Sequence, residues 1–191
     1  MPRSVVRLLF VCALCFGCAT FRPMPIESIP FKKRAKTQER DGLRVTVSVL
    51  SRPEARRAFG VDLETREQPV WIEVENRSQI PYVMILSGLD PPYFCAREAA
   101  YKSHFFGRPG TNAKLDRLFH KSALDPFVGP GDASSGFVFT NLKLGTKEVR
   151  VMFYAPKRVG TFEFFVVVPG FVADHHDVDF DALTAGEFAS S

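Results

Sequence analysis

Apolar and polar positions along this chain alternate in short runs rather than in long helical stripes. LRVTVSVL (43–50) sets Leu43, Val45, Val47 and Val49 against Arg44, Thr46 and Ser48, the period of a half-buried strand. PVWIEVEN (69–76) repeats the pattern, with Val70, Ile72 and Val74 opposite Trp71, Glu73 and Glu75. NRSQIP (76–81) then turns the chain into YVMIL (82–86). The strongest strand signal lies in the C-terminal half, in SGFVFTN (135–141), EVRVMFYA (148–155) and TFEFFVVVP (161–169), all rich in β-branched and aromatic residues. In the last of these Phe162, Phe164, Val166 and Val168 share one face, and Phe165 and Val167 make the other face apolar too. Apolar residues on both faces predict a central strand rather than an edge. Glu163 is expected at its exposed start, with Phe164 in the core.

Helical signals are few. PEARRAFG (53–60) has Pro in its first turn and Gly at its end. Glu98 to Ser103 and Asn112 to Ser122 are plausible short helices, the second with Leu115, Leu118 and Phe119 on one face. Five or six short strands with neighbouring hairpins predict a mainly β protein: a single antiparallel β-sandwich of immunoglobulin-like type with a short helical insertion near 95–122. The sandwich is expected over residues 42–183, about 140 residues, enough for one core. That segment is expected to fold alone without a cofactor, and 184–191 to be a disordered tail.

The N-terminus follows a different pattern. Arg3 and Arg7 precede the uncharged run LLFVCALCFG (8–17), about half the roughly 20 residues that cross a bilayer and the length of a signal-peptide apolar region. Residues 1–17 are therefore expected to be a signal peptide. Gly17-Cys18 resembles the end of a bacterial lipobox, which implies cleavage before Cys18 and lipidation of its thiol. The usual leucine position holds Cys15, and Leu14 sits one place early, so ordinary secretion with cleavage after Gly17 stays open. Ala19 follows Cys18, and by resemblance to enterobacterial lipoprotein sorting this implies the outer membrane, facing the periplasm. Residues 18–41, with Pro23, Pro25 and Pro30 and the basic run KKRAK (32–36), are expected to be a flexible tether. At about 3.1 Å per residue the twenty-two residues 19–40 reach roughly 70 Å. The basic run reads either as a solvated face or as a contact to anionic lipid.

Processing changes the composition. Removal of residues 1–17 leaves 174 residues and, with Arg3 and Arg7 gone, lowers the net charge from +4 to +2. A body this near neutrality is not a nucleic-acid binder by charge. Cys12 and Cys15 leave with the signal, Cys18 carries lipid, and Cys95 remains, so no internal disulfide is expected. Cys95 is expected to be a small buried hydrophobe.

FGVDL (59–63), PVWIEVENRS (69–78), LDPPYF (89–94), EAAY (98–101) and SGFVFTN with GTK (135–147) resemble segments of a group of uncharacterised bacterial envelope lipoproteins with a β-sandwich, immunoglobulin-like body. The resemblance covers most of residues 42–183. It rests on packing and turn motifs, so it implies a fold and an envelope location, and carries over no catalytic residue.

Candidate chemistry is sparse. In ADHHDVDFD (173–181), His175, Asp177 and Asp179 share a face in extended chain, and imidazole with carboxylate suits zinc or another divalent ion. Two-residue spacing sets such ligands about 6–7 Å apart, and solvated chain near a terminus is the plain alternative. In LDPPYF, Asp90 with two prolines makes a rigid turn, and Tyr93 and Phe94 either present aromatic area to a ligand or pack the insertion onto the sheet. Ser134 and Ser135 lie in GPGDASSG, which lacks the GxSxG pattern. His104 and His120 fall in the helical insertion, and GRPGTN (107–112) lacks the lysine of a phosphate loop. These observations lead to the expectation of a non-catalytic envelope lipoprotein without a cofactor, held to the membrane by its lipid and binding another envelope protein. The alternative is a metal- or ligand-binding module built on residues 174–181.

Overall fold

The computed structural model describes residues 21–63, 67–85, 94–143 and 145–170. The expected signal peptide, Cys18, and residues 171–191 lie outside the described residues. The strands are β1 (Lys36–Arg40), β2 (Leu43–Val49), β3 (Glu67–Asn76), β4 (Tyr82–Ile85), β5 (Phe127–Val128), β6 (Ala133–Asn141), β7 (Thr146–Ala155) and β8 (Arg158–Val167). They form two antiparallel four-stranded sheets, ordered β1-β2-β3-β6 and β5-β4-β7-β8. Three short helices, α1 (Arg52–Phe59), α2 (Ala96–Lys102) and α3 (Pro109–Ser122), complete the described elements together with two 3-10 turns at Ile26–Ser28 and Pro30–Arg34. The mainly β expectation holds, and α2 and α3 occupy the expected insertion.

The alternation seen in the sequence becomes one shared core. Val45 pairs with Val74, Val47 with Ile72 and Val49 with Val70. In the second sheet Val149 pairs with Phe164 and Val151 with Phe162. These residues, with Tyr82, Met84, Val128, Val138 and Phe153, form a single buried cluster to which both sheets contribute. Phe164 is buried as expected, and the Glu163 side chain is half exposed, paired with Arg150 at 3.0 Å; Glu163 lies in the middle of β8 on its open face, not at the strand's start. The crossing from β3 to β4 is organised by buried Asn76. Its Nδ2 donates to the carbonyls of Ile80 (2.8 Å) and Gly129 (2.9 Å), and its Oδ1 accepts from the Ser78 N–H at 3.0 Å.

The first sheet is covered on its other face as well. Trp71, Phe137 and Phe139 point outward from β3 and β6 into a second cluster with Phe31, Phe59, Leu115 and Phe119. Its rings interlock, with centroids 4.6 Å apart for Phe59 and Phe119 and 5.6 Å for Phe31 and Trp71.

Residues 21–40 are not a tether, and this corrects the expectation for 18–41. Phe31 is fully buried, and its carbonyl accepts a hydrogen bond from buried Ser48 at 2.7 Å. Asp41 and Gly42 both take positive φ (54° and 76°). They make a two-residue hairpin turn that folds β1 back onto β2. Three members of the basic run contact groups of the protein itself. Lys32 lies over the Trp71 ring at 4.2 Å. Arg34 pairs with Glu54 and donates to the Val49 carbonyl at 2.8 Å. Lys36 donates to the Phe165 carbonyl at 2.6 Å. Gln38 donates to Glu163 O at 2.6 Å, and Arg40 to Thr161 O. Alternate side chains of β1 thus bond alternate carbonyls of β8, joining the edges of the two sheets. Hydropathy missed this because all five β1 residues are exposed.

β8 is also a correction: it stands at an edge of its sheet. Its second apolar face is open, with Phe165 and Val167 exposed. Apolar composition reports what surface a strand has, not whether protein covers it.

Phe31→Ala is expected to lower the unfolding free energy by about 3–5 kcal/mol, as for a large side chain removed from a close-packed site. Urea titration measures it, and a loss under about 1 kcal/mol would mean that the N-terminal segment contributes little. A chain trimmed to 42–183 loses Phe31 and all of β1, so it is expected to melt well below the full body.

Glu54 supplies a pH prediction. It closes a capping box with Ser51 at the start of α1 and also receives Arg34. Burial opposes its charged form, but hydrogen bonds from Arg34 and Ser51 outweigh it and hold its pKa below the ordinary 4.5. A lowered folded-state pKa gives stability that is present above the unfolded-state value and lost as pH falls through the folded one. Glu54→Gln is expected to cost about 2 kcal/mol at pH 7. The gap from wild type should close as urea titrations descend from pH 6 through pH 4.5 and below.

Candidate functional site

Of the sequence-predicted binding residues only Phe94 lies within the described residues; Asp90 and Tyr93 do not, nor do His175, Asp177 and Asp179. Phe94 packs the insertion onto the sheet. Its N–H donates to Phe139 O at 2.9 Å, and its ring lies against the second cluster. Lys102 Nζ sits 3.7 Å from the ring centroid. Cys95 is exposed, contrary to expectation. It is the N-cap of α2, its Sγ accepting the Glu98 N–H at 3.4 Å. A cap residue sits outside the helical turn it closes, which puts this thiol at the surface rather than in the core.

Lys102 joins three groups. It is 3.0 Å from Glu98 and 3.4 Å from Glu67, whose side chain is 1% exposed. Burial disfavours the ammonium, but the two carboxylates outweigh it and raise its pKa above the usual 10.5. Glu67 also borders a pocket of about 920 Å³ at one end of the sheets, with Leu50, Asp62, Leu142 and Val168. Ser51 borders it too, with its hydroxyl donating to Glu54 at 2.8 Å, a capping arrangement rather than an activated nucleophile. His104 bonds Asp116 at 2.8 Å, and Ser134 donates to Asp125 O at 2.7 Å. Among the described residues no group of three or more His, Cys, Asp or Glu is placed to hold a metal ion. No helix among them is long and apolar enough to cross a membrane.

The open face of the second sheet stands apart from these. Strand register sets Phe127 beside Val83, Val83 beside Tyr154, and Tyr154 beside Val159. The four side chains run across all four strands in one row. Each is exposed, the least so being Val83 at 44%. With strands about 4.8 Å apart, the row spans roughly 15 Å. Further along the same face Arg150 bridges Glu148 (2.9 Å) and Glu163 (3.0 Å), and beyond them lie exposed Phe165 and Val167. The face is thus apolar at both ends with a bound ion triad between. Sequence reading missed it because its members lie on four separate strands and become neighbours only through register.

A double-mutant cycle of Lys102→Met with Glu67→Gln is expected to give a coupling of about 1–3 kcal/mol. A value under about 0.5 kcal/mol would show that the two charges do not depend on each other.

Compared with known proteins, the chain matches no protein-family model and no curated protein.

Proposed function

We propose that this chain is a non-catalytic lipoprotein of the bacterial envelope, anchored in the outer membrane through Cys18, and that the open face of its second sheet binds another envelope protein. The observation that carries the binding role is the row Phe127–Val83–Tyr154–Val159. Contiguous exposed apolar area on a folded surface marks an interaction site, and this row lies on rigid strands rather than loops. A fitting partner lays an apolar strand face or helix stripe along the row and offers polar groups to the Arg150 triad. The anchor rests on the short apolar run ending in Gly17-Cys18.

The same proposal takes the fold as an immunoglobulin-like sandwich, and strand order supports it. With β1 set aside, β2, β3 and β6 correspond to strands A, B and E of that fold. β5, β4, β7 and β8 correspond to C′, C, F and G. β1 is then an extra strand added before A.

Photocrosslinking in intact cells tests the binding face. A photoreactive phenylalanine at Val159 or Phe165 is expected to give a crosslinked product that disappears when Tyr154→Asp is added. The same probe at Arg117, on α3, is expected to give none. Absence of any product, an equal product from position 117, or a product made of two copies of this chain would overturn the reading. An alkyne fatty acid is expected to label wild type and not Cys18→Ser; equal labelling of the two would overturn the anchor.

A further inference from the structure

We infer that the surface formed where residues 21–24 meet α1 and the α2–α3 connection rests on an anionic phospholipid bilayer. Arg22, Arg56 and Arg57 face the headgroup phosphates, and Phe106 enters the headgroup layer. The inference rests on the proposed Cys18 anchor for its orientation, and on the described surface for its chemistry.

Distance comes first. The described body includes Phe21, three residues after Cys18. At the chain's maximum of about 3.3–3.6 Å per residue, those three span about 10 Å. The 70 Å tether is gone, so a lipid on Cys18 holds the body against the membrane, and the surface around Phe21 is the one that meets it. That surface is fixed in place: the Met24 N–H donates to Arg57 O at 2.7 Å. Gly60 ends α1 at φ 68°, and a Cβ there would sit 2.7 Å from Pro23 N, so the N-terminal segment passes directly over the helix end.

Charge comes second. A concavity of about 700 Å³ here is bordered by Arg22, Arg56, Arg57, Lys102 and His104, with Asp62 as its carboxylate. Asp62 is 3.5 Å from Arg56. Lys102 is held by Glu67 and Glu98, and His104 by Asp116. Arg22 and Arg57 have no ion pair among the described residues and are exposed. In the basic run at 32–36 Arg34 is paired with Glu54, and exposed Lys32 and Lys36 lie on the Trp71 ring and the Phe165 carbonyl. Arg22 stands far nearer Cys18 in the chain, so the lipid contact is assigned to the arginines.

Apolar side chains come third. Met24 is exposed and lines the same concavity; exposed Tyr101 and Phe106 adjoin its lining residues Lys102 and Phe105 in the chain, Tyr101 lying against His104, and Phe106 has no cover at all. Basic residues beside uncovered aromatic ones are what an interfacial membrane contact requires, because the charges meet phosphate while the ring enters the headgroup boundary. This surface belongs to the layer that covers the first sheet. The open face of the second sheet then points away from the membrane, where a partner can reach it.

The test uses the full lipidated chain with Phe106→Trp, reconstituted in vesicles containing brominated lipid. Trp71 is 3% exposed, so wild type gives the background. In phosphatidylglycerol vesicles the new tryptophan is expected to be quenched at least about twofold more than in phosphatidylcholine vesicles. Adding Arg22→Glu and Arg57→Glu, or raising the salt, is expected to abolish the difference. An unchanged urea midpoint shows that the reversed variant is folded. Equal quenching in both lipids, or quenching indifferent to the charge reversal, overturns the docking. Fatty-acid labelling of Cys18 reads the anchor separately. Label without quenching overturns the docking alone, and quenching without label overturns the anchor alone.

Discussion

The fold depends on a clasp between its first and last strands. Both sheets end in an edge, and an open edge of main-chain groups invites pairing with another chain. Here Lys36, Gln38 and Arg40 reach from β1 to the carbonyls of Phe165, Glu163 and Thr161. The two edges close on each other through side chains rather than through a continuous ladder. The same segment places Phe31 in the outer cluster and Arg34 on Glu54. It therefore ties together both sheets and the first helix.

This clasp explains an asymmetry in the molecule. In the first sheet β3 and β6 are covered on both faces, by the common core and by a layer made of the N-terminal turns and three helices. Among the described residues nothing covers the outer face of the second sheet, although Val83, Phe127, Tyr154, Val159, Phe165 and Val167 are all there. The helices and N-terminal segment pack where Trp71, Phe137 and Phe139 offer rings to interlock. The other face offers three valines and three rings split into two groups by the Glu148–Arg150–Glu163 triad. Covering the whole face would bury that triad at a desolvation cost.

Much of this was legible in the sequence. Strands at 43–50, 69–76 and 135–169 announce themselves because alternation follows from the pleat, and the face assigned to Phe164 and Glu163 is the one they occupy. β1 was not legible by hydropathy, since Lys36–Arg40 is polar on both sides. Its signal is Asp41-Gly42, the strongest short-range hairpin cue, which falls at the expected boundary between tether and sandwich. Phe94 packs rather than recognises. The open face was illegible for another reason. Phe127, Val83, Tyr154 and Val159 come from strands up to 76 residues apart, with Val83 and Val159 at the extremes. Their proximity is a product of tertiary register.

The clasp also sets a timetable. Its hydrogen bonds join residues 121, 125 and 129 positions apart, so among the described strands β1 is made first and its partner last. At about 5–20 residues per second the first strand waits roughly 6–25 s for β8 to exist. Until then the hairpin of β1 and β2 has no second sheet to close against, and long-range pairings of this kind form slowly. A nascent chain of this design stays open until β8 has been made. Were it to cross a membrane in that interval, it would lock only once β1 and β8 stood on the same side.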